Sequence, residues 1–136
     1  MAGQGRMLCA TVQDLEPYLA ALDHHPRANV CLDTCHVYAA GHDLAAPGGV
    51  AETLDALERV APGRLKLIHA NDSKDPCGSK RDRHENIGAG HIGAQAFAEL
   101  MRHPAAAGVP LCIETPGKAE KHREDIELLK KLRDSA

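Results

Sequence analysis

Residues 64–72 read RLKLIHAND, a short run of Leu and Ile that ends in His69, Asn71 and Asp72. A few apolar residues bounded by polar and turn-forming ones predict a buried strand. Two other stretches have the same form, ANVCLDTCH at 28–36 and VPLCIET at 109–115. All three carry apolar side chains on both faces, as strands of a parallel sheet do. The segments between them have helical spacing instead. GVAETLDALERVAPG (49–63) puts Val50, Leu54, Leu57 and Val60 on one face, and HIGAQAFAELMRHPAAAG (91–108) groups Ile92, Phe97, Leu100 and Met101. QDLEPYLAALDHH (13–25) and KHREDIELLKKLRDSA (121–136) supply helices at either end, through Leu15, Tyr18, Leu19 and Leu22 and through Ile126, Leu129 and Leu132.

Helix and strand therefore alternate in units of roughly 40 residues, which predicts right-handed βαβ crossovers and an α/β fold of three parallel strands with four helices. A small open sheet satisfies this order, and so does part of a (β/α)8 barrel, which needs about 250 residues when complete. The sequence shows neither a linker nor a low-complexity segment, so residues 1–136 are expected to form one domain.

Composition narrows the core and the partners. With one Phe, two Tyr and no Trp among 136 residues, the interior must be built from Leu, Ile, Val and Ala. A net charge of −3 supplies no global basic field, so a nucleic acid would have to be held by a local patch or by bound cations. Five Cys without a CxxC pair argue against a disulfide framework and for reduced thiols. Cys31, Cys35 and Cys112 are expected to act as small buried hydrophobes. No apolar run approaches the roughly 18 residues of a membrane span, and MAGQGRMLCA lacks the pattern of a secretion signal, so a cytoplasmic chain is expected.

All three strands end in side chains that can ligate a metal: Asp33 and His36, His69, and Glu114. In parallel α/β architectures the carboxyl ends of the strands share one face, so these four should converge. The loop within 69–84, HANDSKDPCGSKRDRH, adds Asp82 and His84 two positions apart, where both can face one ion. Carboxylates with neutral imidazoles suit Zn²⁺, Mn²⁺ or Fe²⁺ better than Ca²⁺ or Mg²⁺. Taken alone, the same loop also reads as a solvated charged turn. His24, His25, His42, His91, His103 and His122 are expected at the surface or at caps, and the charge run of 121–133 on a solvated helix face.

CLDTCHVYAAGHDL (31–44), HANDSKDPCGSKRDRHENIGAGHIG (69–93) and LCIETPG (111–117), with AGQG at 2–5, resemble in order and spacing the C-terminal half of endonuclease IV. That family comprises zinc-dependent apurinic/apyrimidinic DNA repair endonucleases. The resemblance implies the C-terminal half of a (β/α)8 TIM barrel, working in base excision repair and cutting the phosphodiester 5′ to an abasic site in double-stranded DNA. It implies three zinc ions in the full-length family. Asp33, His69 and Glu114 would serve one ion of a close pair, and His36, Asp82 and His84 the third. Gln4, Lys74 and Arg83 would contact DNA.

The family's bridging Glu, two further His ligands and its DNA-inserting loops precede the AGQG segment, whereas this chain starts at Met1 directly before it. At most two zinc sites, partial or complete, are therefore expected here. The missing N-terminal barrel half would be needed for cleavage, and the isolated chain should expose apolar surface at two open strand edges. Two other readings remain open at this point: a divalent-metal sugar isomerase or epimerase on a similar barrel, and a non-catalytic zinc-binding module.

Overall fold

The computed structural model describes residues 8–135. Three strands, β1 (Val30–Asp33), β2 (Leu65–His69) and β5 (Leu111–Cys112), form a parallel sheet in the order β1-β2-β5. A second, antiparallel pair, β3 (Asp72–Ser73) with β4 (His84–Glu85), stands at the carboxyl end of β2. Five helices accompany them: α1 (Leu15–Ala21), α2 (Thr34–Ala40), α3 (Gly49–Val60), α4 (Ala94–Arg102) and α5 (Ala119–Asp134).

The strand order decides between the two architectures the sequence allowed. Each crossover steps to the next position in the same direction, so crossovers of one hand leave their helices on one side of the sheet. Accordingly α3 packs on α4 and α4 on α5. An open doubly wound sheet would carry helices on both faces. Among the described residues one face is covered and the other is not, which is an arc of a (β/α)8 barrel.

Register assigns residues to the two faces. Asp33 pairs with His69 and His69 with Cys112, so these share one face with Cys31 and Leu67. Leu32, Ile68 and Leu111 share the other, where Leu32 and Ile68 are fully buried against Leu54 and Leu57 of α3 and Phe97 and Leu100 of α4. The uncovered face exposes Cys31 and Cys112, which corrects the expectation that both would be buried. Cys35, on α2, is buried as expected.

Several boundaries differ from the sequence reading. The first strand stops at Asp33 instead of running through His36, because Asp33 caps a fifth helix, α2. The helix expected over 91–108 is α4 followed by a 3-10 turn at Pro104–Ala106, since Pro104 cannot continue the α-helical hydrogen bonding. The helix expected over 13–25 is a 3-10 turn at Val12–Asp14 followed by α1, whose inner face is Leu15 and Leu19. Tyr18 and Leu22 are exposed.

The open edge has the anticipated apolar character. A groove of about 710 Å³ runs between β5 and α5, lined by Met101, Val109, Leu111, Ile113, Ile126 and Leu129 among others. Ile126, expected on the inner side of the last helix, is 41% exposed there.

Candidate metal centre

Asp33 does two jobs at the junction of β1 and α2. Its Oδ1 accepts the His36 backbone N–H at 3.1 Å, satisfying a donor that the first helical turn cannot pair internally. Its Oδ2 is left facing the end of the sheet. The capping contact sets His36 one turn into α2. Gly41, with φ 115°, closes the helix in the left-handed region that glycine adopts without a Cβ penalty.

Asp82 and His84 arrive from the loop after β2. This loop is folded back by the β3–β4 pair, Asp72 opposite Glu85 and Ser73 opposite His84, with a further backbone bond from Lys74 N–H to Arg83 C=O at 3.0 Å. Its far end hangs on α2, where Gly78 and Lys80 donate to the carbonyls of Tyr38 and Ala39. Asp82 lies just before β4, two positions from His84, and the two side chains point together, with Asp82 Oδ1 3.1 Å from His84 Nε2.

The six residues meet in two adjacent clusters. In the first, His69 Nδ1 lies 3.0 Å from Glu114 Oε2 and 3.6 Å from Asp33 Oδ2. In the second, Asp82 Oδ1 lies 3.0 Å from His36 Nε2 and 3.1 Å from His84 Nε2. Asp33 Oδ2 touches on both, being 3.8 Å from each of the second cluster's imidazole nitrogens. Sets of donor atoms drawn from Asp33, His36 and His84, and from Asp33, His69 and Glu114, each fall within 4.8 Å of one another, close enough for one ion.

The donor chemistry fits a bound divalent metal. His36 Nε2 and His84 Nε2 are buried and have no hydrogen-bond partner among the described residues, despite their nearness to Asp82. Leaving such nitrogens unpaired costs about 1–3 kcal/mol each unless something else takes their lone pairs. The other ring nitrogen of His84, Nδ1, sits 3.1 Å from the Glu114 carbonyl. A proton on Nδ1 donated to that carbonyl leaves Nε2 as a free lone pair, the arrangement metal-ligating histidines adopt.

A layer of buried polar groups fixes the loops that carry these side chains. Asp72 accepts backbone N–H groups from Ser73, Gly88, Gly90, Ile92 and Gly93 on its two oxygens. A Cβ at Gly90 would come within 2.5 Å of Asp72 Oδ1, so only glycine lets the chain approach this carboxylate. Asp125 of α5 accepts from Asn86 Nδ2 at 2.8 Å, Ile87 N at 3.1 Å and Thr115 Oγ at 2.6 Å. It therefore ties the segment after His84 to the segment after Glu114. Asp125 is buried, an exception to the solvated face expected of 121–133.

Cys35, Asp82 and His84 also come within 4.8 Å of one another. Burial pushes the Cys35 thiol up to about 11, and its Sγ lies 3.6 Å from the Arg83 carbonyl. The side chain is buried beneath the loop. Of the expected DNA contacts, Lys74 is exposed. Arg83 donates two hydrogen bonds to Asp75, at 2.7 Å from Nε and 2.6 Å from Nη2. Gln4 and its AGQG segment lie outside the described residues. The remaining six histidines have structural places: His42 accepts the Val12 N–H, His103 caps the 3-10 turn after α4, His122 Nε2 lies 2.8 Å from the Thr115 carbonyl, and His24, His25 and His91 are exposed.

Sequence reasoning missed the supporting residues Asn71, Asp72 and Asp125. A polar HAND motif in place of an apolar strand end signalled the first two, but Asp125 is camouflaged among the charges of α5.

Comparisons with known proteins agree with this geometry. A family model described as xylose isomerase-like TIM barrel matches residues 1–132. A probable endonuclease 4 of Streptomyces avermitilis is 63% identical over 134 residues, covering 98% of this chain and 43% of that protein. Another from Chlorobium limicola is 42% identical over 132 residues, covering 96% and 45%. The crystal structure of endonuclease IV from Thermus thermophilus superposes with a TM-score of 0.86 at 29% identity, covering 99% of this chain and 48% of that one. The chain thus spans somewhat under half the length of the relatives it matches. It belongs to the xylose isomerase-like TIM-barrel family, within which it corresponds to part of endonuclease IV.

Proposed function

We propose that this chain provides the metal-holding strand ends of a zinc-dependent apurinic/apyrimidinic endonuclease, which cuts abasic double-stranded DNA 5′ to the lesion in base excision repair in the cytoplasm. The observation that carries this reading is the pair of buried, unpartnered nitrogens on His36 and His84 around Asp82, next to a second cluster that shares Asp33. Asp33, His69 and Glu114 would hold one ion, and His36, Asp82 and His84 another. Zinc at such sites supplies a Lewis acid for the phosphodiester and lowers the pKa of a bound water.

The protein's own part is positional. Asp33 presents one oxygen to both clusters while its other oxygen caps α2. His84 is held in one tautomer by the Glu114 carbonyl. Lys74 is free on the loop rim to meet a phosphate, whereas Arg83 serves first to brace the loop through Asp75. The 136 residues would supply at most two of the three zinc positions implied by the family, partial or complete, so zinc binding and abasic-DNA binding are proposed for them. Strand cleavage is expected only together with the rest of the relatives' length.

Zinc titration with Asp82→Ala and His84→Ala variants tests the assignment. The expected result is loss of one zinc equivalent in each. Unchanged stoichiometry and affinity in both would remove the second cluster from the reading. A sugar isomerase or epimerase on this barrel has no use for the His36, Asp82 and His84 cluster, and Asp82 and His84 variants that keep their zinc would favour that alternative.

A further inference from the structure

Asn71 lies at the end of β2, fully buried between the strands that carry Asp33 and Glu114. Its side chain has only one workable orientation. The Glu114 backbone N–H donates to Asn71 Oδ1 at 2.7 Å, so that atom must be the acceptor and the amide NH₂ must face the other way. There it meets two carboxylates, Asp33 Oδ2 at 3.0 Å and Glu114 Oε2 at 3.5 Å. These are the same two oxygens that approach His69 Nδ1. The backbone of Asn71 is fixed as well, with its N–H on Thr34 Oγ at 2.9 Å and its C=O accepting from that hydroxyl at 2.6 Å.

We infer that Asn71 is a positioning residue for the first metal cluster, holding the Asp33 and Glu114 carboxylates at a separation suited to one ion before the ion arrives. The inference rests on the metal reading proposed above and adds to it. Two like-charged carboxylates ending neighbouring strands repel each other and would splay, most of all Glu114, whose side chain is 51% exposed. The amide offers one N–H to each without bringing charge of its own, and its backbone anchor keeps it from following either. Because the anion pair is held from the side by a neutral donor, the His69 side stays available for the metal. Hydrogen-bonded partners behind metal ligands are commonly worth ten- to hundredfold in metal affinity.

The test measures zinc affinity of this chain by competition with a chromophoric chelator, in two backgrounds. His84→Ala leaves the first cluster and His69→Ala leaves the second. Asn71→Ala is expected to weaken zinc binding ten- to hundredfold in the His84→Ala background and to leave it within twofold in the His69→Ala background. Asn71→Ser, which keeps a small polar side chain but cannot span both carboxylates, should do the same, and thermal unfolding of the metal-free variants confirms that each is folded. Equal losses in both backgrounds, or none in either, would overturn the inference while leaving the metal clusters standing. Absence of zinc binding in both backgrounds before Asn71 is changed would overturn the clusters and the inference together.

Discussion

On the helix side of the sheet, Leu32 and Ile68 disappear beneath α3 and α4. On the opposite side, one residue along each strand, Cys31 and Cys112 are exposed and the strands run out into Asp33, His69 and Glu114. The backbone is shared, so the contrast lies in what each face does with its side chains. The covered face gains its free energy from apolar burial. The bare face ends in a cluster of polar groups in which two buried imidazole nitrogens, on His36 and His84, stay unpaired among the described residues, the kind of local inconsistency found at functional sites. Stability and chemistry are thus divided across the thickness of one sheet.

Substitutions can break that division if it is wrong. Phe97→Ala on the covered side should cost about 3–5 kcal/mol in chemical denaturation, with the zinc content of the folded fraction unchanged. Asp72→Ala strips the partner from several backbone donors in the 88–93 turn and should cost at least about 2 kcal/mol, because buried amides left unpaired are expensive. Unlike Phe97→Ala, it should also weaken zinc binding at the second cluster, through the loop that β3 anchors. His84→Ala should cost metal-free stability no more than about 1.5 kcal/mol, since Nε2 has no partner to lose and only the Nδ1 contact with the Glu114 carbonyl is given up, while zinc binding drops. A loss as large as that of Phe97→Ala would show that the bare face is structural after all. Cys31→Ser and Cys112→Ser, on the exposed side, should fall within about 0.5 kcal/mol of the parent chain.

A pH titration sharpens the covered side. Burial depresses the pKa of His42 below its ordinary 6.5, and its neutral Nε2 accepts the Val12 N–H at the start of the 3-10 turn Val12–Asp14. A group whose folded pKa is lower takes up protons more readily when unfolded, so its contribution is complete above pH 6.5 and is lost as the pH falls below that value. The apparent stability should decline on acidification from pH 7 to pH 5, and His42→Gln should flatten that slope. An unchanged slope would remove His42 from this role.

The two faces were not equally legible in the sequence. Apolar periodicity located the three parallel strands and the main helices of the covered side, because burial on that face is what the pattern records. The candidate ligand residues were visible as polar side chains at strand ends, where an apolar residue would otherwise stand. Their convergence follows from parallel topology. What escaped was short and locally coded. α2 is a seven-residue helix hidden behind a strand, signalled only by Asp33 as its cap and Gly41 after its end. The β3–β4 pair is two residues a side, too short for any period to register. Cys31 and Cys112 looked like core residues because composition cannot tell a barrel's inner face from its outer one, and an arc of a barrel leaves the inner one bare.

Asp125 adds a matter of timing. Its carboxylate secures both the segment beyond His84 and the segment beyond Glu114, yet it belongs to α5, which leaves the ribosome after all six candidate ligands. During synthesis the candidate ligands are therefore present before the helix that fixes their loops exists. The loops around the candidate site are therefore fixed only once α5 has been made and has packed against α4.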